Sequence, residues 1–375
     1  MKILFLQLWY DLYGGIETVN DTLANQFAKD GYDVSILCLW KKGNGEYIYN
    51  GSYSKTVIDS EPKRASYKQM IKNILNLNFT TFVSDIKKSK KYYKIKKENK
   101  KQFTQKINEI NPDFIIIGNP ILIQLVPKKY YNKAVIELHS GIQFYYQDKK
   151  LLKTVLKYNN KINRIIFLTS NFVEEGKKLG ITNSTYMNNP VRIKSTKKNF
   201  LENKNIVFVG RIAPEKRVDK LIDIFNESKL CDKGWNLNIY GTGDTSNFNI
   251  QKNVHIMGGT NNVQEVLENS SILALTSDYE GFPMVVLEAY ACGVPVIVYD
   301  YGVSAKELII NNKTGFIIPQ NDKQAYIEKL KYLCENDKTR KKMGKNAKAE
   351  VKKYYPENIA KRWYKLFRGQ LWKLV

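Results

Sequence analysis

Glu280-Gly-Phe-Pro-Met-Val-Val-Leu-Glu288 is the stretch on which the fold of this chain turns. Ahead of it, Ile272-Leu-Ala-Leu-Thr-Ser-Asp-Tyr279 reads as a buried strand running into a polar loop. Pro283 suits the first turn of a helix, where its missing N–H costs nothing. Glu280 is therefore expected on the loop and Glu288 about one and a half turns into the helix. Both lie near a strand's carboxyl end, in the crevice where open α/β sheets bind ligands. The N–H groups around Phe282 to Val285 are expected to lack helical partners and to carry about half a positive charge. Such a helix start suits a diphosphate, and a carboxylate can hold vicinal ribose hydroxyls. Two glutamates alone would fit any solvated strand-loop-helix. Gly-Phe-Pro between them and Ala291-Cys-Gly-Val-Pro-Val-Ile-Val298 behind them single this one out.

Upstream, Val209-Gly-Arg-Ile-Ala-Pro-Glu-Lys216 follows another strand and opens another helix. Arg211 and Lys216 project from one strand end, where two cations can neutralise a diphosphate and stabilise it as a leaving group. With the Glu-x7-Glu downstream, the chain resembles the retaining glycosyltransferases of family 4, enzymes of the GT-B fold. The resemblance covers nearly the whole chain, with its specific motifs in the second half. It implies an α/β molecule of two Rossmann-like parallel-sheet domains facing a central cleft, with a final helix crossing back onto the first domain.

The site follows from the same resemblance. Arg211, Lys216 and the helix start at Gly281, Phe282, Pro283, Met284 and Val285 are implied to hold the donor diphosphate. Glu288 is implied to bind ribose, and Glu280 to orient the sugar ring beneath its anomeric carbon. His139, after a first-domain strand, is implied to stand beside the donor sugar, so Glu280 and His139 are the candidate catalytic residues. Gly14-Gly15, whose lack of side chains permits close backbone approach, matches a loop that faces the donor across the cleft. Arg217 departs from the family pattern, where a glycine is common. Retention of anomeric configuration, with the diphosphate helping to deprotonate the acceptor hydroxyl, is implied by the family alone. No cofactor and no metal are expected, and no Asp-x-Asp occurs. The donor is expected to be a UDP-hexose or UDP-N-acetylhexosamine, with GDP-mannose left open because the signature does not read the base.

Composition bounds the alternatives. A chain of 375 residues can bury a sizeable core and favours two domains. Cys38, Cys231, Cys292 and Cys334 have no paired spacing, which fits a reducing compartment and argues against a zinc module. Two histidines exclude a histidine-rich metal site. The start, Met1-Lys-Ile-Leu-Phe-Leu-Gln-Leu-Trp-Tyr10, reads as a first strand, because Asp11 follows without a small-residue cleavage site. Residues 114–126 are apolar but broken by Gly118-Asn119-Pro120, so no membrane span is expected.

Strand and helix patterns alternate almost throughout, as in parallel α/β architecture. Strands are expected at 2–9, 32–39, 113–117, 134–138 and 164–169, with helices at 16–29 and 171–179. After residue 205 strands are expected at 205–209, 235–240, 254–257, 272–275 and 294–298. The division is therefore 1–191 for an acceptor-binding domain, 192–204 for a linker and 205–355 for a donor-binding domain. Residues 356–375 form the returning helix, apolar at Ile359, Trp363, Leu366 and Phe367.

The net charge is +24. Abundant Lys, Asn, Ile and Tyr point to compositional bias, but residues 87–101 hold nine lysines and one acid. Lys87, Lys88, Lys90, Lys91, Lys94, Lys96, Lys97, Lys100 and Lys101 form a candidate contact with a membrane or other polyanion. Phe82, Ile86, Tyr93, Phe103, Ile107 and Ile110 are expected on one side of that helix. The implied partners are a nucleotide sugar, a lipid-linked glycan or other anionic acceptor, and the inner face of the cytoplasmic membrane, with the protein cytoplasmic and peripheral. Wall teichoic acid, a nucleotide-sugar epimerase reaction and a non-catalytic GT-B subunit stand as alternatives. Nucleic-acid binding, suggested by charge alone, is not expected.

Overall fold

A computed structural model describes residues 1–10, 14–41, 51–60 and 79–369. The side chains of residues 60, 79–83, 85, 86 and 88 are also outside that description. The chain opens with β1 (Lys2–Trp9), α1 (Gly15–Lys29), β2 (Asp33–Lys41) and β3 (Ser54–Ser60). The helix α2 (Phe79–Ile110) and β4 (Phe114–Ile117) follow, and then β5 (Ala134–Glu137). Next come α3 (Ile142–Gln147), α4 (Lys149–Tyr158), β6 (Arg164–Phe167), α5 (Ser170–Lys178) and β7 (Ser184–Tyr186). The sheet order is β3-β2-β1-β4-β5-β6-β7. The described pairings are parallel, with Phe5 opposite both Ile36 and Ile116. Such strands are covered on both faces and read as continuous apolar runs. Ile3 to Leu6 and Ile115 to Ile117 are accordingly almost wholly buried.

A second series begins at β8 (Asn205–Val209) and α6 (Val218–Ser228), with β9 (Asn236–Tyr240) and β10 (Val254–Gly258) beyond. It continues through α7 (Val263–Glu268), β11 (Ile272–Leu275), α8 (Met284–Ala291), β12 (Val296–Tyr299), α9 (Val303–Leu308) and β13 (Gly315–Ile318). The helices α10 (Lys323–Glu335), α11 (Asp337–Glu350) and α12 (Pro356–Phe367) complete it. The order β10-β9-β8-β11-β12-β13 reverses direction between β8 and β11. A reversal of this kind opens a crevice at the carboxyl ends of those two strands. The loops leaving β8 and β11 carry Arg211, Lys216 and Glu280.

By contacts the chain divides into Met1–Leu138 with Lys153–Ile166, and His139–Leu152 with Phe167–Val375. By this measure residues 192–204 belong to the second unit. So does α12, whose Arg362 donates to the Tyr186 carbonyl at 3.1 Å and to Asn188 Oδ1 at 3.4 Å. Ile359, Trp363 and Leu366 are buried as their spacing requires.

The structure adds β3, β7 and β13 to the strands expected. The stripe expected on α2 is also redrawn. Its buried line runs through Asn99, Phe103 and Ile107, four residues apart, whereas Tyr93 is 55% exposed. Tyr93 stands about 80° off that line at 100° per residue, and packs edge-on against Tyr92 instead. The side chains of Phe82 and Ile86 lie outside the described residues.

Candidate functional site

Two loops meet at the switch point of the second sheet. The loop after β8 passes through a 3₁₀ turn, Pro214–Lys216, and enters α6 through Arg217. Arg217 is left-handed, with φ 47° and ψ 45°, a conformation costing a non-glycine residue about 1–2 kcal/mol. That is the physical reason a glycine suits this position. Here the side chain finds compensation in Asp219, at 2.9 and 3.2 Å.

The loop after β11 is braced against the first. Thr276 Oγ1 donates to the carbonyls of Lys216 and Arg217, at 3.3 and 2.8 Å. The Asp278 N–H donates to the Glu215 carbonyl at 2.9 Å. Across this frame Lys216 Nζ reaches both carboxylate oxygens of Glu280, at 2.7 and 2.6 Å. The pair is shielded, the side chains being 19% and 10% exposed. Ser277 Oγ donates to Glu280 Oε1 at 2.7 Å. Arg211 differs: its side chain is 75% exposed and pairs with Glu215 at 2.9 Å. A surface bridge of that kind contributes little and gives way readily.

Pro283 caps α8 and Met284 is its first helical residue, so Pro283 stands one place earlier than the sequence suggests. Glu288 is consequently about one turn into the helix. No side chain caps α8, and the Val286 N–H donates to the Pro283 carbonyl at 3.1 Å, so the N–H groups of Met284 and Val285 are the ones suited to an anionic ligand. Phe282 is buried and packs edge-on against Tyr354, so its side chain belongs to the core. Met284 and Val285 are half-buried. Glu288 is half-buried too, and burial pushes its carboxyl up to about 7 against the pull of the Arg192 guanidinium.

His139 reaches this site through its backbone. A Cβ on Gly281 would stand 2.7 Å from the His139 carbonyl oxygen and 3.0 Å from the Gly141 nitrogen. Only glycine lets residues 139–141 pack on the Glu280-Gly281 backbone. These residues all belong to the second unit, where the His139 backbone lies against Gly281. Ser304 Oγ, buried on α9, donates to the Glu280 carbonyl at 3.3 Å.

Gly14 and Gly15 stand at the start of α1. Gly14 caps α1 with φ −114°, and a Cβ there would meet Glu17 Oε2 at 2.4 Å; Gly15 has open space around it. Both belong to the first unit. Glu307 is a brace: it accepts from Asn188 Nδ2 at 2.8 Å and from the Ser170 N–H at 3.2 Å. Burial raises its carboxyl while those donors oppose the shift. The phenol of Tyr301 is buried and its ionisation is pushed well up, first by burial and then by Glu280. On α2, Lys87, Lys90, Lys91, Lys94, Lys97, Lys100 and Lys101 are exposed. Lys96 is half-buried over the Trp40 ring at 5.9 Å, and the Lys88 side chain lies outside the described residues. Sequence reasoning missed Ser277, Thr276, Ser304 and Gln320, whose Nε2 donates to the Ser277 carbonyl at 3.0 Å. A hydroxyl three residues before Glu280 was a signal for Ser277; Gln320, beyond β13, had none.

Among the described residues no group of three His, Cys, Asp or Glu could hold a metal ion. Nor is any of their helices long and apolar enough to cross a membrane.

Residues 191–350 match the family Glycosyl transferases group 1. A Staphylococcus aureus poly(ribitol-phosphate) alpha-N-acetylglucosaminyltransferase is 29% identical over 236 residues, 59% of this chain. The match spans about half of that enzyme, 47% of its length. An uncharacterized glycosyltransferase of Haemophilus influenzae is 26% identical over 365 residues, 93% of this chain and 95% of the relative. The fold is similar to that of S. aureus TarM, crystallised with fondaparinux, alpha-GlcNAc-glycerol and UDP. The TM-score is 0.78 at 18% identity, over 98% of this chain and all of that one. Two Rossmann-like parallel sheets and the likeness to TarM give the chain a fold of the GT-B type, and within it residues 191–350 are similar to the Glycosyl transferases group 1.

Proposed function

We propose that this enzyme transfers a hexose or an N-acetylhexosamine from a nucleoside diphosphate sugar, UDP-linked, to a membrane-anchored glycan acceptor in surface polysaccharide synthesis. The observation that carries the reading is the Lys216–Glu280 pair at the switch point, beside an α8 start that no side chain caps. A diphosphate there meets the Lys216 ammonium and the N–H groups of Met284 and Val285, while Arg211 gives up a weak surface bridge to join them. Glu280 is then released to accept hydroxyls of the sugar ring. Glu288, one turn along α8, accepts ribose hydroxyls. Cations on the diphosphate favour its departure, and a diphosphate oxygen takes the proton of the acceptor hydroxyl. The anomeric configuration is retained and neither metal nor cofactor is required.

The exposed lysines of α2 suit a peripheral enzyme on the cytoplasmic face of an anionic membrane. A polyol-phosphate polymer is the second reading for the acceptor, favoured by the S. aureus relative that acts on poly(ribitol-phosphate).

The test is thermal unfolding with UDP, GDP, ADP and duplex DNA, for the wild type and Glu288→Ala. A ligand at one hundred times its Kd stabilises by about 2.7 kcal/mol. Stabilisation by UDP that vanishes in Glu288→Ala is the expected result, and UDP-sugars are then assayed with detergent-solubilised lipid-linked glycans and with polyol-phosphate polymer. Turnover of a UDP-sugar with no acceptor would instead mark an epimerase. A protein stabilised by DNA alone would refute the reading.

A further inference from the structure

We propose that Ser277 is a positioning residue for Glu280, the group that keeps its carboxylate aimed once Lys216 turns to the donor diphosphate; this rests on the function proposed above. Among the described residues the Glu280 carboxylate accepts three hydrogen bonds, two from Lys216 Nζ and one from Ser277 Oγ at 2.7 Å. The diphosphate competes for Lys216, whose ammonium is mobile on a four-carbon stem. Ser277 cannot follow. It is wholly buried, on the segment leaving β11, and its carbonyl accepts from Gln320 Nε2 at 3.0 Å. Thr276, also wholly buried, ties the same segment to the backbone of Lys216 and Arg217. The hydroxyl is thus held by framework rather than by ligand, and it bonds one carboxylate oxygen alone. Oε1 stays occupied, and Oε2 is left to a sugar hydroxyl. Fixing one oxygen sets the rotation of the carboxylate plane, and misaligned groups forfeit rate while binding persists.

The experiment measures transfer kinetics and UDP affinity for the wild type, Ser277→Ala and Ser277→Thr, with the UDP-sugar the wild type uses. Loss of one hydrogen bond to a charged group costs about a tenfold factor. Ser277→Ala is expected to lose about tenfold in kcat, with UDP affinity held within twofold, and Ser277→Thr to recover most of the rate. An unchanged kcat in Ser277→Ala overturns the proposal. So does a UDP affinity that falls by the same factor as kcat, because Ser277 then merely supports the loop. Thermal unfolding of Ser277→Ala in wild-type and Glu280→Ala backgrounds gives a reading free of catalysis. The Tm loss should shrink once the acceptor carboxylate is gone; equal losses refute the bond to Glu280. If the wild type transfers no sugar, the proposed function fails, and this thermal cycle still decides whether Ser277 acts through Glu280.

Discussion

Glu288 combines two demands that pull against each other. The proposed function has it accept ribose hydroxyls from its place on α8, but burial raises its carboxyl to about 7 from 4.5. A carboxyl bound to its proton more tightly in the folded state contributes most below the unfolded value. That contribution is lost as pH rises from about 4.5 through about 7, and amounts to about 1–3 kcal/mol by pH 8. Glu288→Gln, which mimics the protonated form, should therefore raise the Tm of the empty protein at pH 8 and leave it nearly unchanged at pH 4.5. A variant-minus-wild-type difference that does not vary with pH would sink this account. The carboxylate's position was legible in the sequence, because the Glu-x7-Glu spacing needs only a strand, a loop and a helix. Its protonation was not, since that depends first on burial by the folded chain and then on Arg192, a residue distant in sequence. The partner of Lys216 was equally hidden: it lies 64 residues away, and only the order of β8 and β11 makes them neighbours.

Among the elements, long apolar runs were the ones readable in advance. Ile272-Leu-Ala-Leu275 is buried on both faces and was found to the residue. β3, Ser-Lys-Thr-Val-Ile-Asp-Ser, lies at a sheet edge and alternates too weakly to stand out. β7 has three residues, and β13 is the opposite edge of the second sheet. Such strands are specified by neighbours that pair with them rather than by their own pattern. A tertiary joint of this kind sits at Arg340, buried on α11. Its guanidinium donates to the Leu201 carbonyl at 2.9 and 3.0 Å, and to the carbonyls of Leu333 and Cys334 at 2.7 and 3.0 Å. Leu333 and Cys334 end α10, where helix carbonyls lack internal partners. One side chain therefore closes α10, starts α11 and fastens the residues expected as a linker. Arg340→Met should cost about 2–4 kcal/mol by leaving buried carbonyls without donors. Arg340→Lys should restore only part of it, because an ammonium lacks the planar fork. Urea midpoints measure both, and a cost below about 1 kcal/mol would contradict the role.

Over the whole molecule a net charge of +24 dominates the long-range field, and α2 concentrates part of it on exposed lysines. Replacing Lys87, Lys90, Lys91, Lys94 and Lys97 by Gln should weaken binding to anionic liposomes at least about tenfold, given about 1 kcal/mol for each lysine near such a surface. Co-sedimentation at fixed salt checks this, and undiminished binding would assign the lysines to solvation. That field also draws every phosphate in solution toward the proposed donor site, yet Lys216 is not vacant there: Glu280 is its tenant. A visitor that brings charge alone exchanges one anion for another and leaves an evicted, half-stranded carboxylate behind. A nucleotide sugar offers both former partners a new bond, phosphate oxygens for the lysine and hydroxyls for the glutamate. On the function proposed above, the ion pair works as a turnstile: it admits by the combination of anion and alcohol, and keeps abundant simple phosphates from clogging a site this basic.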